Sequence, residues 1–113
     1  MHEMSIAVSI LDIVKEYALK EKAKEVKEIE LEIGTLAGIE FEALDFALKV
    51  SLKTPLTENS NIQIHKIQAK SICQDCMNEF ETLNLFEHCP KCKSYNTTLI
   101  KGKELQVKSL LID

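Results

Sequence analysis

The sequence predicts an α+β fold: a small three-stranded sheet with two helices on one face, plus an inserted four-cysteine module. Three observations carry this. Apolar residues recur at helical spacing near the amino terminus, residues 28–33 alternate strictly between charged and apolar, and four cysteines occur as two C-x-x-C pairs. The chain has 113 residues, 45% hydrophobic and 28% charged, which suits one compact domain or one domain carrying a small module.

The elements follow in order. From residue 4 to about residue 20, Ile6, Ile10, Ile13 and Tyr17 form one apolar row and Ala7, Leu11, Val14 and Ala18 the row beside it. Ser5, Ser9, Asp12, Glu16 and Lys20 lie opposite, so this is an amphipathic helix with a wide buried face. Residues 28–33, Glu-Ile-Glu-Leu-Glu-Ile, read as a strand with one buried face and one acidic face, ended by Gly34. A loop with Gly38 leads to a second helix over residues 40–53. It carries Phe41, Leu44 and Leu48 on one face, beside Ala43, Ala47 and Val50, and stops before Thr54-Pro55. After a polar turn at residues 57–61, residues 62–67 form a strand. Residues 103–112 alternate again, with Leu105, Val107 and Leu111 in phase. The strands flanking the cysteines are expected to pair as a long hairpin with the cysteine module at its tip. The expected domains are an α/β domain of residues 1–69 and 101–113 and a module of residues 70–100.

Cys73 and Cys76 are separated from Cys89 and Cys92 by twelve residues. A C-x-x-C turn points two sulfurs at one spot, and two facing turns close a tetrahedral S4 site. That set suits a structural zinc in a zinc-ribbon-like module, because four thiolates leave no open position. A redox dithiol comes as a single pair at a helix start, whereas iron shares the same ligand set. Pro90 stiffens the second turn, and Lys91 and Lys93 offset the negative site. The module's apolar residues, Ile72, Met77, Phe80, Leu83, Leu85 and Phe86, are too few to fold without a cross-link. His88 reads as a surface histidine beside Cys89, with replacement of a thiolate as the sharper alternative. His65, out of phase with Ile62 and Ile64, reads as structural or solvent-facing.

Composition excludes several classes. The net charge is −4, from 14 basic against 18 acidic residues, and arginine is absent, which argues against nucleic acid as a partner. The first 22 residues carry Glu3 and Asp12 in their apolar stretch and lack a basic region or cleavage site. No signal peptide or membrane span is expected, and the expected location is the cytoplasm.

His2 follows Met1, and Met1 is expected to be retained because methionine is removed only before small residues. A free α-amine, the deprotonated amide of residue 2 and its imidazole can chelate one ion in fused rings. Nitrogen donors in one plane suit Ni²⁺ or Cu²⁺ better than Zn²⁺. The bland alternative is a frayed terminus. The turn ending at Glu40 offers a carboxylate that approaches this terminus if both helices share a sheet face.

Taken together, Met1-His2-Glu3-Met4-Ser5, the Ile33-Gly34-Thr35-Leu36 loop leading to Glu42-Ala43-Leu44-Asp45-Phe46-Ala47, and Cys73-x-x-Cys76 with Cys89-Pro-x-Cys92 resemble the HypA/HybF family over the full length. These are nickel metallochaperones of [NiFe]-hydrogenase maturation, not enzymes. The resemblance implies nickel at Met1 and His2, with Glu3 contributing through its backbone or by holding the site, and Glu40 at the place of a nearby acidic residue. It implies structural zinc on Cys73, Cys76, Cys89 and Cys92. The implied partners are a HypB-type GTPase, the hydrogenase large subunit and, in some organisms, urease maturation proteins. The chain departs from the family pattern at Phe41, where a proline is frequent. Two other classes remain open: a zinc-ribbon adaptor between proteins with no second metal, and a thiol redox or iron electron-transfer protein. A monomer and a homodimer are both compatible with the sequence.

Overall fold

The computed structural model describes residues 3–113; Met1 and His2 lie outside the described residues. The elements run α1 (Glu3–Lys20), β1 (Val26–Gly34), α2 (Phe41–Ser51), β2 (Asn61–Ile67), β3 (Lys70–Cys73), β4 (Glu79–Glu81), β5 (Thr97–Lys101) and β6 (Leu105–Ile112). Two three-stranded sheets form, in the orders β2-β1-β6 and β4-β3-β5. The chain divides into two compact units. The first takes in the residues up to Leu31 with Ile39–His65 and Gln106–Asp113; the second comprises Glu32–Gly38 and Lys66–Leu105.

In the first unit α1 buries Ile6, Ala7, Ile10, Leu11, Val14 and Ala18, the central part of the stripe read from the sequence. The row through Ile13 and Tyr17 departs from expectation, since both are about half exposed. They sit on the flank of the stripe, where they line an open cavity with Val107, Leu110 and Ile112 of β6. Glu3 in the first turn and Lys20 in the last complement the helix dipole. At the far end Lys22 adopts a left-handed φ of 56° while Ala23 N–H caps Ala18 O at 2.8 Å. The second helix is shorter than expected, ending at Ser51, and buries only Leu44, Ala47 and Leu48; Val50 is exposed.

The expected hairpin of β2 with β6 does not form. Val26 O accepts the Ser60 hydroxyl and Glu30 faces His65, so β2 runs parallel to β1. Glu25 O accepts Asp113 N–H at 3.0 Å and Glu30 accepts the Ser109 hydroxyl, so β6 runs antiparallel to it. Parallel neighbours need a crossover, and α2 supplies it. The chain therefore lays β2 on one edge of β1 and returns to the other edge as β6. β1 takes the centre because its alternation is the strongest: Val26, Ile29, Leu31 and Ile33 are all fully buried. In β6 the alternation slips at Lys108–Ser109. Leu110 and Ile112, rather than Leu111, take the half-buried phase.

On the other face of β1, Glu30 accepts the Ser109 hydroxyl at 2.5 Å, and this bond is the main reason its carboxyl titrates below the usual range. His65 Nε2 stands 3.5 Å from Glu30 Oε1, as its phase in β2 requires, and that nitrogen has no hydrogen-bond partner among the described residues.

In the second unit two glycines meet. Gly34 N–H donates to Glu104 O at 2.8 Å and Leu36 N–H to Gly102 O at 2.7 Å, while Thr35 N–H reaches Ile67 O at 2.9 Å. A Cβ on Gly34 would lie 2.0 Å from the Gly102 carbonyl, and Gly102 itself has φ +125°. Gly34 thus does more than end a strand: it lets two backbones touch. Gly34→Ala is expected to destabilise this unit by about 3 kcal/mol, since neither backbone can yield. Urea denaturation followed by amide exchange checks this, and an unchanged midpoint would contradict it.

Candidate metal centre

The cysteines sit on two turns that are copies of each other. In the first, Cys73 N–H donates to Asn78 O at 2.9 Å and Met77 N–H to Cys73 O at 2.8 Å. In the second, Cys89 N–H donates to Ser94 O and Lys93 N–H to Cys89 O, both at 2.8 Å. Each turn reverses through a left-handed residue at the same place, Met77 at φ 62° and Lys93 at φ 63°. Neither is glycine, so sequence reading had no signal for this conformation. The first turn grows out of β3, which pairs antiparallel with β4 and β5. Phe80 packs against Cys73, Cys76 and Cys89 to form the small core of this region. Met77, Leu83, Leu85 and Phe86 stay exposed, which fits a fold organised around sulfur rather than around apolar side chains.

The four Sγ atoms lie within 4.8 Å of one another. Cys73 and Cys92 are 3.4 Å apart and Cys76 and Cys89 3.7 Å apart, and all four thiols are free. Sulfurs bound tetrahedrally at 2.3 Å from one ion would be about 3.8 Å apart, so the set fits a four-thiolate metal. Donors already point at the sulfurs. Cys76 N–H lies 3.5 Å from Cys73 Sγ, and Asn78 Nδ2 lies 3.8 Å from Cys89 Sγ.

The thiols divide their protons unequally. Burial disfavours the Cys89 thiolate, but the N–H groups of Cys92 and Lys91, with Cys76 and Asn78, outweigh it and bring this thiol down to about 6. The Cys76 N–H lowers Cys73 as well, against burial. For Cys92 the Ser94 N–H favours the thiolate. The bond to Cys73, burial and the neighbouring sulfurs nonetheless push it up to about 12. A metal entering this site displaces the remaining protons, so its affinity falls with acid.

Beyond Phe80 the chain passes through a braced loop. Thr82 Oγ1 bonds Asn84 O at 2.7 Å and Glu87 Oε2 at 2.9 Å, and Leu83 N–H donates to the same carboxylate at 3.1 Å. The Leu83 N–H, then the Thr82 hydroxyl, hold the Glu87 carboxyl below its usual range. His88 is exposed, with its ring 5.5 Å from that of Tyr95, and is not among the clustered ligands.

The other predicted site residues lie in the first unit. Glu3 is half-buried in the first turn of α1 and Glu40 is the N-cap of α2, with no side-chain cap of its own. Glu40 N–H donates to Glu3 Oε2 at 3.4 Å, so the two residues are brought together across 37 positions of sequence. The expectations for Met1 and His2 fall outside the described residues. Sequence reading passed over Asp75, Asn78, Ser94 and Asn96, polar residues whose partners lie far along the chain.

The family model described as "Hydrogenase/urease nickel incorporation, metallochaperone, hypA" matches residues 1–112. The chain belongs to the HypA family. It is 46% identical over 112 residues to the hydrogenase maturation factor HypA of Parabacteroides distasonis, covering 99% of this chain and 97% of that one. It is 38% identical to the HypA of Psychromonas ingrahamii, across 100% of this chain and 99% of the other. The solution structure of the Ni metallochaperone HypA from Helicobacter pylori superposes with a TM-score of 0.69, at 24% identity, over 99% of this chain and 97% of that one. The likeness to that structure supports the fold. The HypA family is one of metallochaperones acting in nickel incorporation, not of enzymes. Among the described residues no helix is long and apolar enough to cross a membrane.

Proposed function

We infer that this chain binds Ni²⁺ at its amino terminus and delivers it during maturation of [NiFe]-hydrogenase, and of urease where one is present. The donors are the Met1 amine, the His2 amide and imidazole, and the backbone of Glu3, with Glu40 as the nearby carboxylate. The Glu3–Glu40 contact carries the reading. It ties the start of α1 to the N-cap of α2, so the Glu40 backbone stands beside the carboxylate of Glu3, the residue that follows His2 in the chain. A terminal chelate can surrender one nitrogen at a time to an acceptor, which suits transfer rather than storage.

Cys73, Cys76, Cys89 and Cys92 hold a structural zinc in this reading. A closed S4 set has no vacancy from which an ion could be handed on. Residues 70–100 then act as the zinc module and residues 1–69 with 101–113 as the nickel-binding domain, in the cytoplasm, with a HypB-type GTPase, the hydrogenase large subunit and urease maturation proteins as partners. A zinc-bearing adaptor without nickel is the second reading, favoured by the exposed Leu83 and Phe86 on the braced loop, 78% and 86% accessible.

Calorimetric titration of the untagged, zinc-loaded protein with Ni²⁺ separates the two. One nickel per chain, taken up with proton release, is the expected result. Absence of stoichiometric nickel with zinc intact would leave the adaptor.

A further inference from the structure

The two cysteine turns are tied to each other by side chains other than the cysteines. Asp75, inside the first C-x-x-C, accepts the Ser94 hydroxyl on Oδ2 and the Asn96 amide on Oδ1, the latter at 3.1 Å. Ser94 Oγ in turn accepts Asn96 N–H at 3.0 Å, and Gln74 N–H donates to Asn96 O at 2.8 Å. The residue closing each turn is also a tie to the other. Ser94, whose carbonyl closes the second turn, reaches Asp75 on the first; Asn78, whose carbonyl closes the first, reaches Cys89 Sγ on the second.

We propose that Asp75 is a positioning residue of the four-cysteine site, which holds the Cys89–Cys92 turn against the Cys73–Cys76 turn and so slows release of the bound metal. The proposal rests on the zinc reading above. A four-thiolate ion departs stepwise, and two sulfurs on one turn must swing away together before it is free. That motion separates Asp75 from Ser94 and Asn96, so both hydrogen bonds to one carboxylate break in the same step.

The sign of the effect separates this role from simple electrostatics. Zn²⁺ with four thiolates carries a net −2, and a carboxylate one residue from Cys76 repels that charge. On charge alone, removing Asp75 would make the site hold zinc more tightly. As a tie, its removal makes the site looser.

The test follows zinc transfer from the full chain to a chromogenic chelator at neutral pH, with zinc content measured beforehand by mass spectrometry. Asp75→Ala and Ser94→Ala are each expected to speed transfer by about tenfold, the lower end of the range for outer partners of metal ligands. The double variant is expected to be no faster than Asp75→Ala, because Ser94→Ala removes one of the two hydrogen bonds that Asp75→Ala already removes. Asp75→Asn, which keeps an acceptor oxygen without the charge, is expected to recover part of the slow release. Cobalt-substituted Asp75→Ala is expected to show shifted ligand-field bands, which a change in global stability would not move. Transfer unchanged or slower in both single variants, or fully additive effects, would overturn the proposal. If Asp75→Ala does not fold, Ser94→Ala decides alone. Native protein carrying no zinc would instead overturn the zinc reading, and the proposal with it.

Discussion

A two-residue extension ahead of Met1 is expected to abolish stoichiometric Ni²⁺ binding while leaving one zinc per chain. The extension converts the α-amine into an amide, which removes a donor and destroys the first chelate ring. His2→Ala removes the imidazole and a second ring. Its cost should exceed the roughly 10–100-fold that even outer partners of a ligand contribute. Neither change touches the buried faces of α1, which begin at Ile6, so helical content and zinc should be retained. The pH dependence has a definite sign. Binding displaces protons from the amine and the amide, and from the imidazole below about pH 6.5, so nickel affinity falls as pH falls. Equilibrium dialysis of the extended and native proteins, with both metals counted, is the measurement. Native-like nickel uptake by the extended chain would remove the terminus from the site.

Cys89→Ala is expected to do the reverse, losing zinc and opening the region around β3, β4 and β5 while nickel binding persists. Cys89 is fully buried and shares its small core with Cys73 and Phe80. Alanine there removes a ligand and leaves three thiols facing one another without a cation. Structural zinc contributes about 10–16 kcal/mol to folding, far beyond what one buried phenylalanine can replace. Amide exchange should show lost protection over residues 70–101, with α1 and α2 unaffected. Retained zinc and retained protection would show that the thiols are not the fold's organising centre here. Chelator treatment of the native protein should reproduce the same pattern.

Local features were legible in the sequence. The period of α1 and the alternation of β1 are read from neighbouring residues, and both elements are present within two residues of expectation. The clustering of the four cysteines was legible because each pair spans a single turn. Sheet order was not. Two strands adjacent along the chain, on either side of the module, looked like a hairpin, but pairing is decided by which strand can be buried on both edges. The close approach of Gly34 and Gly102 was equally hidden, since contact between two backbones leaves no mark in a composition of only three glycines. The exposed Ile13 and Tyr17 belonged to a correct helix with too generous a buried face, because periodicity reports a direction and not the width of what covers it.

By itself the sequence determined the kinds of chemistry available: four thiols spaced to face one another, and an imidazole on the residue before Glu3. These are short-range properties, carried by residues within one turn of each other. Tertiary structure decided which distant groups meet them. It set Glu3 against the Glu40 amide across the two helices, and Asp75 against Ser94 and Asn96 across the two turns. Such contacts depend on crossover direction and strand order, which follow from burial of the whole chain rather than from any local stretch of it.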